Sequence, residues 1–545
     1  AVVVLDPLSG EVLTMLGSPD YFEAKIDGAV NATTATRQPG SSIKPITYAA
    51  AFDPNLATTY GYRPLTPASV MVDVRTAFVT AEGQPYVPKN YDQIWRGPVL
   101  LRPSLASSYN LIAVKVLDYI GLDTLIDLSR TMGITTFDNK KFGLALTLGG
   151  GEVRLLEMTA AYGSFANGGR KLEPVTITRI TDHAGTVLYQ TAPDLNPGPQ
   201  VFDPRTAYLI TDILSDNYAR RSTFGAGNPL QLTRPAAAKT GTTQDWRDNW
   251  TIGYTPDLVT GVWAGNADNE PMRNVSGVTG AAPIWRDIME ELHKALPVRH
   301  FAVPQGIEIR EVCADNGLLP VSDSRAVVQQ QMIEQPSGGS GSPRLKTTAR
   351  PGPCPHLITE KFIAGTAPES RDDAHLIVAL DRRNGLKAGP GCPLEFIRFQ
   401  SFTRYPSEAE AWARQQGVAQ IPNQFSPPCP GGPLTGEATQ SPHGEMSLPG
   451  LALTAGLIFT SPDQGSVFRL MPNIPADKQQ IRINLRPADG VEAEQVVLLV
   501  NGQPLVEGWQ TLWPMQPGIF TFEARGLDRA GRPITAQAVT IEVVE

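Results

Sequence analysis

The sequence predicts a multidomain protein: an α+β domain, an irregular cysteine-bearing connecting region, and a C-terminal β-sandwich. Three observations carry this. The chain has 545 residues, more than one ordinary core organises. Strand-like runs stand at both ends of residues 1–297, with helical patterning between them. Composition then shifts twice, to Pro-, Gly- and Cys-rich over 298–445 and to short, evenly spaced β runs over 446–545.

In the first part, Val2 to Leu5 and Glu11 to Leu16 flank Asp6-Pro7-Leu8-Ser9-Gly10, a turn-forming cluster, and read as a hairpin. Residues 42–54 and 103–170 carry helical spacing of apolar residues, as in Leu111 to Leu117 and Leu155 to Tyr162. Strands return at 171–190. Three more follow closely between 236 and 265, the last two joined at Pro256-Asp257, and an amphipathic helix spans Ile284 to Leu296. The first and last strands are expected to share one sheet. In the connecting region, Pro336 to Pro343 reads as a flexible loop and Ser407 to Gln416 as a helix. Beyond 446, about seven strands are expected, with Asn501-Gly502 marking a hairpin, which is the pattern of an immunoglobulin-like sandwich. Trp509 and Trp513 stand four apart there; filling the core is the preferred reading over lining a ligand surface.

Hydrophobic content of 41% and charged content of 18% fit folded protein rather than disorder. A formal net charge of -8 gives no basic footprint for nucleic acid. No apolar run reaches membrane-spanning length. The chain opens directly on strand-like residues, so its N-terminus reads as a cut or processed end. Cys313, Cys354, Cys392 and Cys429 lack the spacing of a zinc site, so no metal is expected. They fit either disulfides in an oxidising compartment or unlinked thiols in a reducing one.

The chemistry concentrates in three motifs: Ser41-Ser42-Ile43-Lys44, Ser108-Tyr109-Asn110 and Lys239-Thr240-Gly241-Thr242. Each alone is weak; the ordered set is specific. Pro45 fits only a first helical turn, which puts a helix start near Ser41. Ser41 and Lys44, three apart, then share one helical face. A serine hydroxyl needs a base, and Lys44 is one if its amine is neutral, through burial or a nearby cation such as Lys239. The bland alternative is a capping Ser and a solvated Lys. Ser108 can relay a proton, and the Asn110 amide can bind both a lysine and a substrate amide; an ordinary helix start is the alternative. Lys239 with the Thr240 and Thr242 hydroxyls makes a carboxylate pocket, and Gly241 clears space for a substrate strand. The backbone N–H groups of Ser41 and Thr242 form a candidate oxyanion hole.

On these motifs, and on Arg37 to Pro45, Tyr86 to Asp92, Gly97 to Asn110, Leu148 to Val153, Ala166 to Gly169, Arg247 to Gly253 and Val262 to Asn266, residues 1–297 resemble the transpeptidase part of a class A penicillin-binding protein. The C-terminal extension resembles the 1C subgroup. The resemblance implies an antiparallel sheet flanked by helices, with an all-helical subdomain. It implies a D,D-transpeptidase whose Ser41 attacks D-Ala-D-Ala stem peptides of peptidoglycan, passes the acyl group to an amine on a neighbouring stem and is acylated by β-lactams. Lys239 and Thr240 would hold the substrate carboxylate, and no cofactor is needed. It also implies a periplasmic or extracytoplasmic address, with the membrane anchor upstream of this chain. No glycosyltransferase domain is expected within it. Other cell-wall proteins are candidate partners of the C-terminal domain. Local disulfides, Cys313–Cys354 and Cys392–Cys429, follow from that address and from a similar cysteine-bearing segment in related proteins. Ser42 stands where Thr is more usual, adding a second hydroxyl beside the nucleophile.

Two rival readings remain at this stage. One is a D,D-carboxypeptidase or β-lactamase-like hydrolase using the same groups; the other is a weakly catalytic wall scaffold. The C-terminal domain is expected to be a separable module, dispensable for the chemistry.

Overall fold

The computed structural model describes residues 1–79, 85–137, 142–191, 198–273, 275–335, 342–429, 454–462, 464–470, 479–488, 491, 493–529 and 532–544. The expected boundary at 445/446 and most of the Pro336–Pro343 loop lie outside them.

Strands β1 (Val2–Leu5) and β2 (Val12–Leu16) form the opening hairpin. A 3-10 turn, Gly40–Ile43, leads into helix α1 (Lys44–Phe52). Next come β3 (Val70–Asp73), β4 (Thr76–Val79), β5 (Pro85–Tyr86) and β6 (Gly97–Leu100), in two nested antiparallel pairs, β3 with β6 and β4 with β5. Helices α2 (Leu101–Ala106), α3 (Asn110–Ile120), α4 (Leu155–Ala166) and α5 (Pro204–Ser215) follow. The chain then returns to the sheet with β7 (Ala237–Thr242), β8 (Asp248–Tyr254) and β9 (Val259–Gly265), before helix α6 (Ala281–Leu292).

These strands make one antiparallel sheet in the order β7-β8-β9-β1-β2, with Val2 opposite Val262. The first and last strands therefore do share a sheet. Strand alternation divides its side chains between two cores. Val3, Leu5, Trp250, Ile252 and Tyr254 pack with α1, α3 and α4; Val2, Val4, Ala236, Ala238 and Val262 pack with Trp285 and Met289 of α6. This sandwich of helices around a sheet holds the edge strand β7 beside the 3-10 turn.

The connecting region is not irregular, which corrects the sequence expectation. Strand β10 (Ile307–Cys313) pairs with β11 (Leu357–Ile363), and β12 (His375–Asp381) is the middle strand of a second sheet, paired with β13 (Ile397–Thr403) on one side and with Ala349–Pro351 on the other. Helix α7 (Ser407–Gln415) matches the expected helix. Short strands carrying Ile, Val and Leu were hidden in a Pro- and Gly-rich average. The cysteines pair as expected, Cys313–Cys354 and Cys392–Cys429, with Cα–Cα separations of 5.9 and 4.8 Å.

The C-terminal part holds β14 (Thr454–Ser461), β15 (Val467–Arg469), β16 (Gln480–Pro487), β17 (Ala493–Val500), β18 (Gln503–Glu507), β19 (Gln510–Pro514), β20 (Gly518–Asp528), β21 (Pro533–Ala536) and β22 (Val539–Val544). Asn501-Gly502 turns β17 into β18 as expected. Ile481, Ile483, Leu498, Trp513, Phe522 and Ile541 share one core. Trp513 is buried edge-on against Phe520 and Phe522, whereas Trp509 is 37% exposed, so the two tryptophans part company.

This region is not self-contained. Strand β15 runs parallel to β4 of the first domain, Val467 opposite Thr76 and Phe468 opposite Ala77, and Ala77 is buried in the C-terminal core. Arg75 donates to Ser466 Oγ, and Arg469 pairs with Asp118 of α3 at 3.1 Å. From α7, Glu408 pairs with the buried Lys115 of α3, and Trp412 donates to the Trp95 carbonyl at 3.1 Å. The expected separable module is thus built into the wall behind α3.

Candidate active site

The 3-10 turn sets Ser41. Its Gly40 adopts φ +54, and a Cβ there would stand 2.6 Å from the Thr242 carbonyl oxygen and 2.7 Å from Thr242 N. Only glycine admits both that φ and that approach. The turn is therefore pressed onto β7, which brings Ser41 beside the Thr242 amide. Trp250 Nε1 donates to the Gln38 carbonyl at 2.7 Å, and the Tyr162 hydroxyl donates to the Ser42 carbonyl at 2.6 Å, so the turn is fixed from both sides. The α-helix proper starts at Lys44, three residues later than the sequence suggested.

Lys44 is fully buried, and its Nζ donates to the Ser108 carbonyl at 2.8 Å, Asn110 Oδ1 at 2.7 Å, Ser108 Oγ at 3.3 Å and the Tyr109 carbonyl at 3.3 Å. A solvated lysine is excluded. Lys239 Nζ donates to Ser108 Oγ at 2.8 Å and to the Thr240 carbonyl at 2.9 Å. Ser108 is held at φ +64, a left-handed conformation costly for a serine, which fits a residue pinned by both lysines. Neither Ser108 nor Asn110 caps α3 with its side chain, so the plain helix-start alternative fails.

Burial, and after it the Lys239 charge, hold the Lys44 amine well below the ordinary lysine range. Burial, and after it the charge of Arg220, bring Lys239 down to about 7. Arg220 is a residue the sequence reading missed. It is buried, its guanidinium donates to the Leu214 carbonyl, and burial lowers it to about 10 despite Asp216. Its loop also buttresses the second motif: Ser222 Oγ lies 2.8 Å from Ser107 Oγ and 3.2 Å from the Tyr109 hydroxyl. No local motif marks Arg220; its role follows from burial alone.

Three expectations need correction. Gly241 does not clear room for a substrate strand on its Cβ side. A Cβ there would stand 2.1 Å from the Pro39 carbonyl oxygen, so the glycine admits the protein's own turn. Lys239, Thr240 and Thr242 do not converge as one side-chain pocket. Alternation puts Lys239 on the helical face of the sheet and the two threonines on the other, where Thr242 Oγ1 accepts the Gly277 N–H at 2.8 Å. Ser42 is no second free hydroxyl, since its Oγ donates to the Pro39 carbonyl at 2.8 Å. Cys313 and Cys354, with Asp372 nearby, are tied up in their disulfide and offer no thiolate to a metal.

Two buried lysines and a bridging hydroxyl thus gather next to the turn that carries Ser41. Residues 1–290 match the family described as the penicillin binding protein transpeptidase domain, and the chain belongs to that family. It is 36% identical over 310 residues to penicillin-binding protein 2D of Bacillus subtilis, covering 56% of this chain and 42% of that protein. It is 30% identical over 409 residues to penicillin-binding protein 1A of Clostridium botulinum, covering 74% and 45%. The crystal structure of penicillin-binding protein 1A from Haemophilus influenzae superposes with a TM-score of 0.54 at 26% identity, covering 68% of this chain and 54% of that one. The chain thus spans less than half the length of these two curated relatives.

Proposed function

We propose that this chain is a peptidoglycan D,D-transpeptidase acting through a Ser41 acyl-enzyme. The observation that carries this is the pair of buried lysines joined through Ser108 Oγ, one of them, Lys44, opening the helix that follows the Ser41 turn. Lys44, held neutral, takes the Ser41 proton as the hydroxyl attacks the carbonyl of the penultimate D-Ala. The amides of Ser41 and Thr242 receive the developing oxyanion, worth roughly a hundred- to a thousand-fold per donor. Ser108 passes the proton on to the departing D-Ala amine. Asn110 Oδ1 keeps Lys44 in line, and the charged fraction of Lys239 with the strand edge at Thr240 holds the terminal carboxylate. An amine of a second stem peptide then takes the acyl group and frees Ser41. β-Lactams acylate Ser41 by the same path.

An extracytoplasmic address follows from the peptidoglycan substrate and agrees with the two disulfides. The β14–β22 region reads as an immunoglobulin-like sandwich and favours the 1C subgroup of class A, with another cell-wall protein as its proposed partner. No helix among the described residues is long and apolar enough to cross a membrane. Labelled penicillin in the cold tests the reading. A stable adduct supports a transpeptidase, rapid turnover of label indicates a hydrolase, and no label leaves a scaffold.

A further inference from the structure

Helix α3 carries Asn110 at its first position and Lys115 and Asp118 on its far side, yet no residue of its own approach caps it. The cap comes from twenty residues upstream. Asn90 Oδ1 accepts the Asn110 N–H at 2.8 Å and lies 3.5 Å from Leu111 N. Asn90 is itself buried and held from behind: its Nδ2 donates to both oxygens of Asp73, at 3.0 and 2.9 Å, and to the Ile94 carbonyl at 3.0 Å. Asp73 is fully buried.

This arrangement fixes two amide orientations. A carboxylate can only accept, so Asn90 must turn its NH₂ to Asp73 and its oxygen to Asn110. The adjacent Lys89 carbonyl accepts from Asn110 Nδ2 at 2.8 Å, which leaves Asn110 Oδ1 facing Lys44 Nζ at 2.7 Å. Reversing either amide would set donor against donor. From these contacts we infer that Asn90, oriented by Asp73, is the positioning residue that sets Asn110, and through it Lys44, for acyl transfer, an inference that rests on the function proposed above. Asn90 touches no reacting atom. It acts by holding the acceptor that aims the base, where a displacement of about 1 Å costs roughly a hundred-fold in rate.

The test compares Asn90→Leu, Asn90→Asp and the swap Asp73→Asn with Asn90→Asp, in the full chain. The swap restores the amide–carboxylate pair, since Asn at 73 donates to a carboxylate at 90 that still accepts the Asn110 N–H, while the Ile94 carbonyl loses its donor. Three quantities are read: the limiting rate of penicillin acylation, the dissociation constant before acylation, and amide exchange of the 110–111 segment. Asn90→Leu should lower the limiting rate roughly a hundred-fold with the dissociation constant barely moved. Its acid limb should shift to lower pH, because Lys44 loses an acceptor while Lys239 still faces it. Asn90→Asp should be slow, and the swap should recover part of the rate. A mere helix cap predicts lost stability with the wild-type rate and pH profile, and that result overturns the inference, as does a swap no faster than Asn90→Asp. If the wild type takes no penicillin at all, the proposed function fails. The Lys44 amine, titrated by nitrogen-15 NMR, then decides: a lowered value in Asn90→Leu, regained in the swap, upholds the positioning role, and an unmoved value, with only the 110–111 amides exchanging faster, leaves a mere cap and ends it.

Discussion

Lys44 Nζ and Lys239 Nζ reach the same acceptor, Ser108 Oγ, at 3.3 and 2.8 Å. Two ammonium groups that close and that buried repel, so the pair favours one neutral amine. Burial lowers both amines, and the Lys239 charge lowers Lys44 further, which suits Lys44 to the proposed role of base with the residual charge on Lys239.

Ser41 is expected to carry the β-lactam adduct in peptide mass spectrometry. Ser42 spends its hydroxyl on the Pro39 carbonyl and should stay unmodified. Ser41→Ala should show no label with an unchanged melting temperature; an adduct on Ser108 instead would falsify the assignment.

Lys44→Ala should abolish acylation at any drug concentration. Lys239→Ala should weaken drug binding and slow acylation less severely, since it removes a carboxylate partner and also a charge that depresses Lys44. Progress curves over a range of drug concentrations separate the two effects; equal losses in both variants would merge the two roles.

Acylation should follow a bell in pH. Lys44 stops accepting protons as pH falls through its depressed value, which gives the acid limb. Lys239 loses its charge as pH rises through about 7, which gives the basic limb. Arg220→Gln removes the charge next to Lys239, so Lys239 should titrate higher and the basic limb should move up. Stability carries the matching sign. Between about 7 and 10.5 the unfolded chain holds the Lys239 proton that the folded chain has released, so this group's contribution rises with pH across that window. A basic limb unmoved in Arg220→Gln would remove Arg220 from the site.

A chain ending near residue 440 should lose acylation rate and thermal stability together. Its truncation strips Phe468 from Ala77 and Arg469 from Asp118, leaving β4 and α3 uncovered. Gel fluorescence with labelled penicillin and a melting curve measure both. Wild-type acylation in the truncated chain would restore the modular expectation.

Removing either disulfide by Cys→Ser pairs should cost about 4 kcal/mol by the loop-entropy relation, for sequence separations of 41 and 37. Denaturant melts of the two double variants check this, and a midpoint unchanged from wild type would show that the cross-links do not constrain the unfolded chain.

The turn that carries Ser41, the helix that opens at Lys44 and the sheet were legible because each rests on local order. Pro45 announces a helix, the apolar run Val2 to Leu5 announces a strand, and three ordered motifs announce chemistry. Arg220 and Asn90 were not legible as functional, since their meaning lies in what they face across more than a dozen residues. The Thr240–Thr242 pocket failed for a different reason. Neighbours in a strand look adjacent on the page, but the pleat sends them to opposite faces. The join between β4 and β15 carries no sequence mark at all, because backbone pairing is indifferent to side-chain identity.

That join sets a timetable. Arg75 and Ser466, which meet at its head, are 391 residues apart. At 5–20 residues per second, the ribosome needs roughly 20 to 80 seconds to make the second after the first. Throughout that interval the hairpin β4–β5 offers a bare strand edge to whatever surrounds it, the exposure that invites mispairing between chains. The wall behind Asn110 is therefore begun long before it is closed, and β4 waits for its partner while every residue between the two is made.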